Sequence, residues 1–580
     1  MTTGDRHHPR GSDRTRAILI CVGLALVWAV AARWYVGIGF NPTDDGLITA
    51  QSARILHGAS PHVEIVSPRP LGSPLLHLVD LALPTPLLAT SRAIALLEFL
   101  AMAGLGVRLV TRRAVGTWGP FEVALSLVAF LVNLHTFPLL SWHTVDGLLV
   151  STAAFVLFDK AFTAGSTRWL RSAALLAGFA PLIKQSFAPV PLIAIVWIVW
   201  TVRAGRSPFP RATLIKNLLW GVVPGVAYVA WLLATSSLSA AIDQLASASG
   251  ISAFAGLVIT VPSVVALTVV AVLVWAVVVG RRRDPTAPDS ARLTLALQVM
   301  GAALMAMALG ATFTGQLRYT DPWGAVLWWA AAMAVCLWSV AHRSIDIAGL
   351  AALALGWMAS LSWGYPLPSL FGGVLLAVTL SRGVMLIDAG LLPDRRAILA
   401  RAGTVLVVLV LIGLVPLAVS ARESTVYRDV PADRSVALGS LSRELRGVRA
   451  SKTTARYLAQ IKQCADDHPA TNLAVLPDNA AVPLLLGHRN PLPLAWWYPL
   501  EIPTDRDQVI AEIERVDRAG DYLVLFQTVD VQDLAKRRSL PDATANTRPF
   551  DYEHGMASEV FDALNGQVVT CGSFVGRYSP

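Results

Sequence analysis

GIGFNPTDDGLITAQSARILHGASPHVEIVSPRPLGSPLLH (residues 37–77) is the stretch that decides the fold. It is polar and it interrupts apolar sequence. Residues 17–36 before it and 86–107 after it each match the roughly 20 apolar residues that a spanning helix needs. The chain therefore reads as leaving a membrane helix near Tyr35, making a first loop over 37–85, and re-entering the bilayer. Asp44 and Asp45 open that loop. Adjacent carboxylates repel, which raises one pKa and leaves a base or a cation site. LITAQSARIL, just after them, has the pattern of a short amphipathic helix on the membrane surface, and either acid is placed to cap it.

Composition carries the membrane reading to the rest of the chain. Of 580 residues 54% are hydrophobic and 15% charged, with mean hydropathy +0.56. A soluble domain carries about 25% charge. A soluble enzyme, a disordered chain and a coiled coil are thereby excluded for the bulk of the sequence. Residues 1–420 hold 29 Lys+Arg and 17 Asp+Glu, whereas residues 421–580 hold 18 and 21. The expected organisation is a tail (1–16), a transmembrane body (17–420) and a water-exposed domain (421–580). The net charge of +9 belongs to short loops between apolar spans, so nucleic acid is not an expected partner.

About thirteen spans are expected, near 17–36, 86–107, 118–138, 141–158, 172–183, 186–202, 217–235, 257–280, 292–313, 322–340, 345–361, 369–388 and 402–420. The stretch 172–202 reads as two short helices meeting at Lys184. With the N-terminus in the cytoplasm, 22 of the 29 basic residues of the body fall on the inner side. Positive loops stay inside, so the first loop and the C-terminal domain are expected outside the plasma membrane. Cys464 and Cys571, both in that domain, form an even pair that invites a disulfide in an oxidising compartment.

Chemically capable residues gather on the outer side. The first loop adds Arg54, His57 and Arg69. Between later spans come His143 with Asp146, then Lys184 and Gln185, then Arg318 and Tyr319, then Trp363 and Tyr365. Cations with aromatic faces suit a phosphate and a sugar ring. A divalent cation on Asp44 and Asp45 is compatible with the pattern, although no full ligand set is visible. Nucleotide-binding loops, HExxH and CxxC are absent from the sequence.

In the C-terminal part, residues 451–463 read as a helix capped by Ser451, and 505–520 as a second helix ended by Gly520. LAVLP (473–477), YLVLF (522–526) and QVVTCGSFVGRY (567–578) read as three strands, the last at an edge. The expected fold is a small α/β layer. NPLPLAWWYPLEIP (490–503) has no period; it either packs on its own domain or overhangs the acidic loop, where Trp496 and Trp497 could stack on a sugar.

An acidic pair in the first outer loop, a following surface helix, KQS at Lys184–Ser186 and a C-terminal outer domain resemble the GT-C glycosyltransferases. That class includes protein mannosyltransferases, aminoarabinose lipid A transferases and arabinofuranosyltransferases. VLPDNAAVPLLLGHRNPLP (475–493) and AGDYLVLFQ (519–527) resemble outer domains of its bacterial members. The resemblance implies transfer of a hexosyl or pentosyl group from a polyprenyl-phosphate donor to an envelope glycan, lipid or protein in cell-wall biogenesis. One of Asp44 and Asp45 would be the base, and Lys184 or Arg318 would steady the leaving phosphate. The chain departs from the class at Gly46, where many members carry an aromatic or aliphatic residue. The competing readings are a lipid-linked sugar flippase or transporter and a non-enzymatic envelope assembly protein.

Overall fold

The structure is a computed structural model. It describes residues 11–83, 86–136, 139–246, 289–318, 321–361, 367–388, 393–424, 429, 434–503 and 505–580. The helices of the first half are α1 Gly11–Tyr35, α2 Leu47–Leu56, α3 Gly72–Leu76, α4 Leu78–Ala82, α5 Leu87–Thr111, α6 Pro120–Thr136, α7 His143–Ala164, α8 Thr167–Ile183, α9 Pro189–Arg203, α10 Arg211–Leu218, α11 Val223–Ala234 and α12 Leu238–Ala246. The second half contributes α13 Asp289–Thr314, α14 Trp323–Ala341, α15 Ile347–Ser360, α16 Gly372–Asp388 and α17 Pro393–Ser424. Among the described residues, nine helical stretches are long and apolar enough to cross a membrane, with α6 and α15 as shorter apolar partners. The chain is a multi-pass membrane protein. Twelve of the thirteen expected spans coincide with helices; the span expected at 257–280 lies outside the described residues.

The expected break at Lys184 is present. Lys184 has extended backbone, and Gln185–Phe187 form a short 3-10 turn between α8 and α9. Pro181 and Pro189 make the continuous helix unfavourable here, because each removes a ladder donor. One large apolar core joins α5, α6, α7, α14, α15 and α16.

The C-terminal domain has the expected α/β layer. Its helices are α18 Lys452–Asp467, α19 Val482–Leu485, α20 Arg506–Ala519 and α21 Ala557–Ala563. Ser451 Oγ accepts from Thr454 N at 3.1 Å, and Gly520 follows α20 with φ 70°. The strands are β1 Val436–Ala437, β2 Arg449–Ala450, β3 Asn472–Leu476, β4 Tyr522–Gln527, β5 Gln567–Cys571 and β6 Phe574–Ser579. The larger sheet runs β3-β4-β6-β5, with β3 parallel to β4 and the other pairings antiparallel. The run expected as one edge strand is therefore a hairpin. Gly572, at φ +55°, turns the chain, so β6 lies inside the sheet and β5 takes the edge. Cys464 on α18 is disulfide-bonded to Cys571 at the end of β5.

This domain is stitched onto the first loop. Gly39 N donates to Arg449 O (2.8 Å) and Arg449 N to Gly37 O (3.0 Å), so residues 37–39 lie along β2. Asn479 N donates to Pro42 O at 2.7 Å. Helix α2, expected on the membrane surface, is instead enclosed: every residue from Leu47 to Ala53 is buried. Its polar positions have partners inside. Ser52 Oγ reaches Pro74 O at 2.7 Å, and Thr49 Oγ1 lies 3.2 Å from Ser91 Oγ. At the start of α2, Gly46 has φ +78°, and a Cβ there would stand 2.5 Å from the Ala481 Cβ. Both the left-handed backbone and the close domain contact thus favour glycine at this position. Gly46→Val is expected to cost about 1–3 kcal/mol and to lower the thermal unfolding midpoint in detergent. Gly104→Ala, inside α5 with nothing within 4 Å of the added Cβ, is expected to leave the midpoint unchanged or raise it.

Candidate functional site

The acidic pair divides into two different groups. Asp45 is fully buried, and its Oδ2 accepts from Asn41 N and from Arg92 Nη2, both at 2.7 Å. Arg92, on α5, also donates to Val36 O (2.8 Å), Ile38 O (3.3 Å) and Gly39 O (2.8 Å). One guanidinium thus holds a carboxylate and three carbonyls of the loop entrance. Neither acid caps α2; its N-cap is Gly46, with no side-chain cap bond. Asp44 remains partly exposed. The Thr43 hydroxyl lies 3.2 Å from its Oδ2 and 2.8 Å from Asn41 Oδ1. Burial pushes the Asp44 carboxyl up to about 7; the Thr43 contact opposes this, and the negative Asp45, Asp478 and Glu501 add to it.

Two of those acids come from the C-terminal domain. Asp478 follows β3 and accepts from Trp496 Nε1 (2.8 Å), Gln527 Nε2 (2.8 Å) and the Tyr552 hydroxyl (3.0 Å). Burial raises it to about 6 against those bonds. Glu501 makes a two-point ion pair with Arg69 of the first loop, 2.7 Å on each limb, and both side chains are buried. The Arg69 guanidinium stands 5.9 Å from the Trp142 ring centre. Lys184 Nζ donates to Thr144 Oγ1 at 3.0 Å and is within electrostatic reach of Glu501, Arg69 and His143. His143 is buried, and neither of its ring nitrogens has a hydrogen-bond partner among the described residues. A buried imidazole in that state calls for a ligand or water.

The structure thus brings Asp44, Asp45, Arg69, His143 and Lys184 into one neighbourhood, with Asp478 and Glu501 closing it from above. The other expected site residues are placed differently. Arg54 donates to Leu492 O and to Glu64 O, each at 2.5 Å, so it ties the loop to the 490–503 segment; burial lowers it to about 10. His57 is exposed, its Nδ1 2.6 Å from Ala53 O. Gln185 donates to Pro68 O at 2.5 Å. Arg318 is exposed, and its carbonyl accepts from Trp323 Nε1. Tyr319, Trp363 and Tyr365 lie outside the described residues. The 490–503 segment overhangs the loop: Pro493 O accepts from Val66 N, and Glu501 meets Arg69. Trp497 is packed in the domain core and offers no free face. Trp496 is only partly buried and stacks on Tyr498 at 5.0 Å.

A second polar group lies beneath, between the loop's end and the bundle. His77, between α3 and α4, has Nδ1 3.1 Å from Asp80 Oδ1 and Nε2 3.3 Å from Asp146 Oδ1. Its Nε2 is 3.8 Å from Glu98 Oε1 on α5. Ser73 hydrogen-bonds to Asp146 as well. From Asp80 a chain of hydroxyls runs through Ser141 and Ser91 to Thr49 on α2.

No family model and no curated protein matches the chain. Among solved structures it is similar to the archaeal oligosaccharyltransferase AglB from Archaeoglobus fulgidus in complex with an inhibitory peptide and a dolichol-phosphate. The identity is 13%, over 90% of this chain and 70% of that one, with TM-score 0.43. It is also similar to ArnT from Cupriavidus metallidurans in the apo state, at 13% identity over 90% and 95%, with TM-score 0.40. Likenesses this loose bear on neither chemistry nor partner.

Removing one member of a buried ion pair strands the other and costs about 3–5 kcal/mol. Arg92→Met is therefore expected to lower detergent thermal stability sharply, and Asp44→Asn to leave it nearly unchanged. Melting curves of the two variants beside the parent protein decide this.

Proposed function

We propose that the chain is a membrane glycosyltransferase that moves a sugar from a polyprenyl-phosphate donor to an acceptor hydroxyl on the outer face. The observation that carries the reading is the split of the acidic pair: Asp45 is locked by Arg92, while Asp44 is partly open, with its carboxyl raised to about 7. A group with that pKa can take a proton near neutral pH. The His143 ring, neutral in its burial and without a hydrogen-bond partner among the described residues, lies beside Lys184 and can donate to a phosphate oxygen that Lys184 attracts.

In the proposed step the acceptor oxygen attacks the anomeric carbon. Its proton passes to the Asp44 carboxylate. The bond from the anomeric carbon to the phosphate oxygen breaks, and the electron pair leaves with the polyprenyl phosphate. Lys184 holds the charge that grows there. Arg69 is already engaged by Glu501, so its part is to keep the 490–503 segment closed over the site. Trp496, braced by Asp478 and Tyr498, offers a face for a sugar ring.

The test is transfer in proteoliposomes. Radiolabelled polyprenyl-phosphate pentose and hexose are offered with envelope extract as acceptor, and release of polyprenyl phosphate is followed. Loss of a general base costs about 10²–10⁴-fold, so Asp44→Asn is expected to fall by that factor while still melting like the parent. The base works only when ionised. Lys184, which burial lowers to about 7, holds the phosphate only when protonated, so activity is expected to peak near pH 7 and to fall on both sides. Undiminished transfer by Asp44→Asn, or movement of intact donor across the bilayer without release of the phosphate, would overturn the reading.

A further inference from the structure

We propose that His77, Glu98 and Asp146 form a largely buried site for one divalent metal ion, zinc or manganese, distinct from the acidic pair at Asp44 and Asp45. The three residues come from three segments: the turn between α3 and α4, the middle of α5, and the first turn of α7. Each offers one ligand atom, and these atoms all lie within 4.8 Å of one another. An ion bound tetrahedrally at about 2.0–2.1 Å keeps its ligands about 3.4 Å apart. His77 Nε2 is already 3.3 Å from Asp146 Oδ1 and 3.8 Å from Glu98 Oε1, so small side-chain shifts suffice.

Three further observations favour an ion. The first is the imidazole's orientation. Its Nδ1 faces Asp80, which fixes the proton on that nitrogen and turns Nε2 toward the other two carboxylates. A histidine that holds a metal is oriented by a carboxylate in this way. The second is charge. Asp80, Glu98 and Asp146 meet one imidazole, so even a protonated His77 leaves negative charge uncompensated in a buried place. The third is the Glu98 side chain. Its Oε2 is buried without a hydrogen-bond partner among the described residues, and the carboxyl faces Asp146 and Asp80 as well as His77 from the middle of α5. An ionisable residue at that depth needs a partner.

The mixed nitrogen and oxygen set suits zinc or manganese better than magnesium or calcium, which prefer oxygen alone. His77 and Asp146 are almost wholly buried and the Glu98 side chain is 13% exposed, so three protein ligands would hold the ion away from bulk solvent and leave its fourth position to a water. The ion would clamp the end of the first loop to α5 and α7, the helices that carry Arg92 and His143.

The experiment needs no substrate, so it stands apart from the transferase reading. Full-length protein purified in detergent without chelator is analysed for bound metals, and its unfolding is followed with and without EDTA. The expected result is about one zinc or manganese ion per chain, with content falling below about a tenth in Glu98→Gln and His77→Gln and unchanged in Asp44→Asn. EDTA is expected to lower the unfolding midpoint, and added Zn²⁺ or Mn²⁺ to restore it. Parent protein that carries less than about a tenth of an ion and does not respond to either treatment overturns the proposal; His77 then simply shares a proton with its carboxylates. Loss of the ion in Asp44→Asn with retention in Glu98→Gln overturns it too. The measurement on the parent protein stands even if a variant fails to fold.

Discussion

The Arg92–Asp45 ion pair is the contact on which the first loop depends. A guanidinium inside an apolar helix is costly, and so is a buried carboxylate. Each is tolerable here because the other is present and because Val36, Ile38 and Gly39 supply three carbonyls to the remaining donors. The result is a loop whose backbone is set before any ligand arrives. Asp44 is left at the edge of that frame with a raised carboxyl and no structural duty of comparable weight.

The second constraint is the cover. The C-terminal domain supplies Asp478, Glu501 and Trp496, and it reaches the loop by main-chain pairing at residues 37–39 and by Asn479 to Pro42. Burial raises the Asp44 carboxyl most, and negative groups from both parts add to it, so its acidity belongs to the assembled pair of domains. Enclosure also explains why α2 carries Thr49, Gln51 and Ser52 on what the sequence pattern suggests is a wet face: two of the three find partners inside.

The spans were legible because the length and apolarity of each run are local properties. The break at Lys184 was legible for the same reason, since prolines announce it. The acidic pair was visible, but its division of labour was not, because Arg92 lies on another helix and nothing in the local pattern joins it to Asp45. Asp478 and Glu501 were hidden by more than four hundred residues of separation from the loop they cover. The hairpin at 567–579 resembles a single strand in sequence because its strand pattern is continuous, and Gly572 is the signal for the turn. Glu98 and Arg92 did leave a trace: each is an isolated charge within an apolar span, which marks a partner or a site by default.

The seam between loop and cover has a bearing on biosynthesis. Gly37 and Gly39 hydrogen-bond to Arg449, and Pro42 to Asn479, so the loop's partners leave the ribosome long after the loop itself. Throughout most of elongation the nascent chain has Asp44 in place but lacks the neighbours that set its proton affinity. The surroundings that raise the Asp44 carboxyl therefore arrive late in translation, with the C-terminal domain.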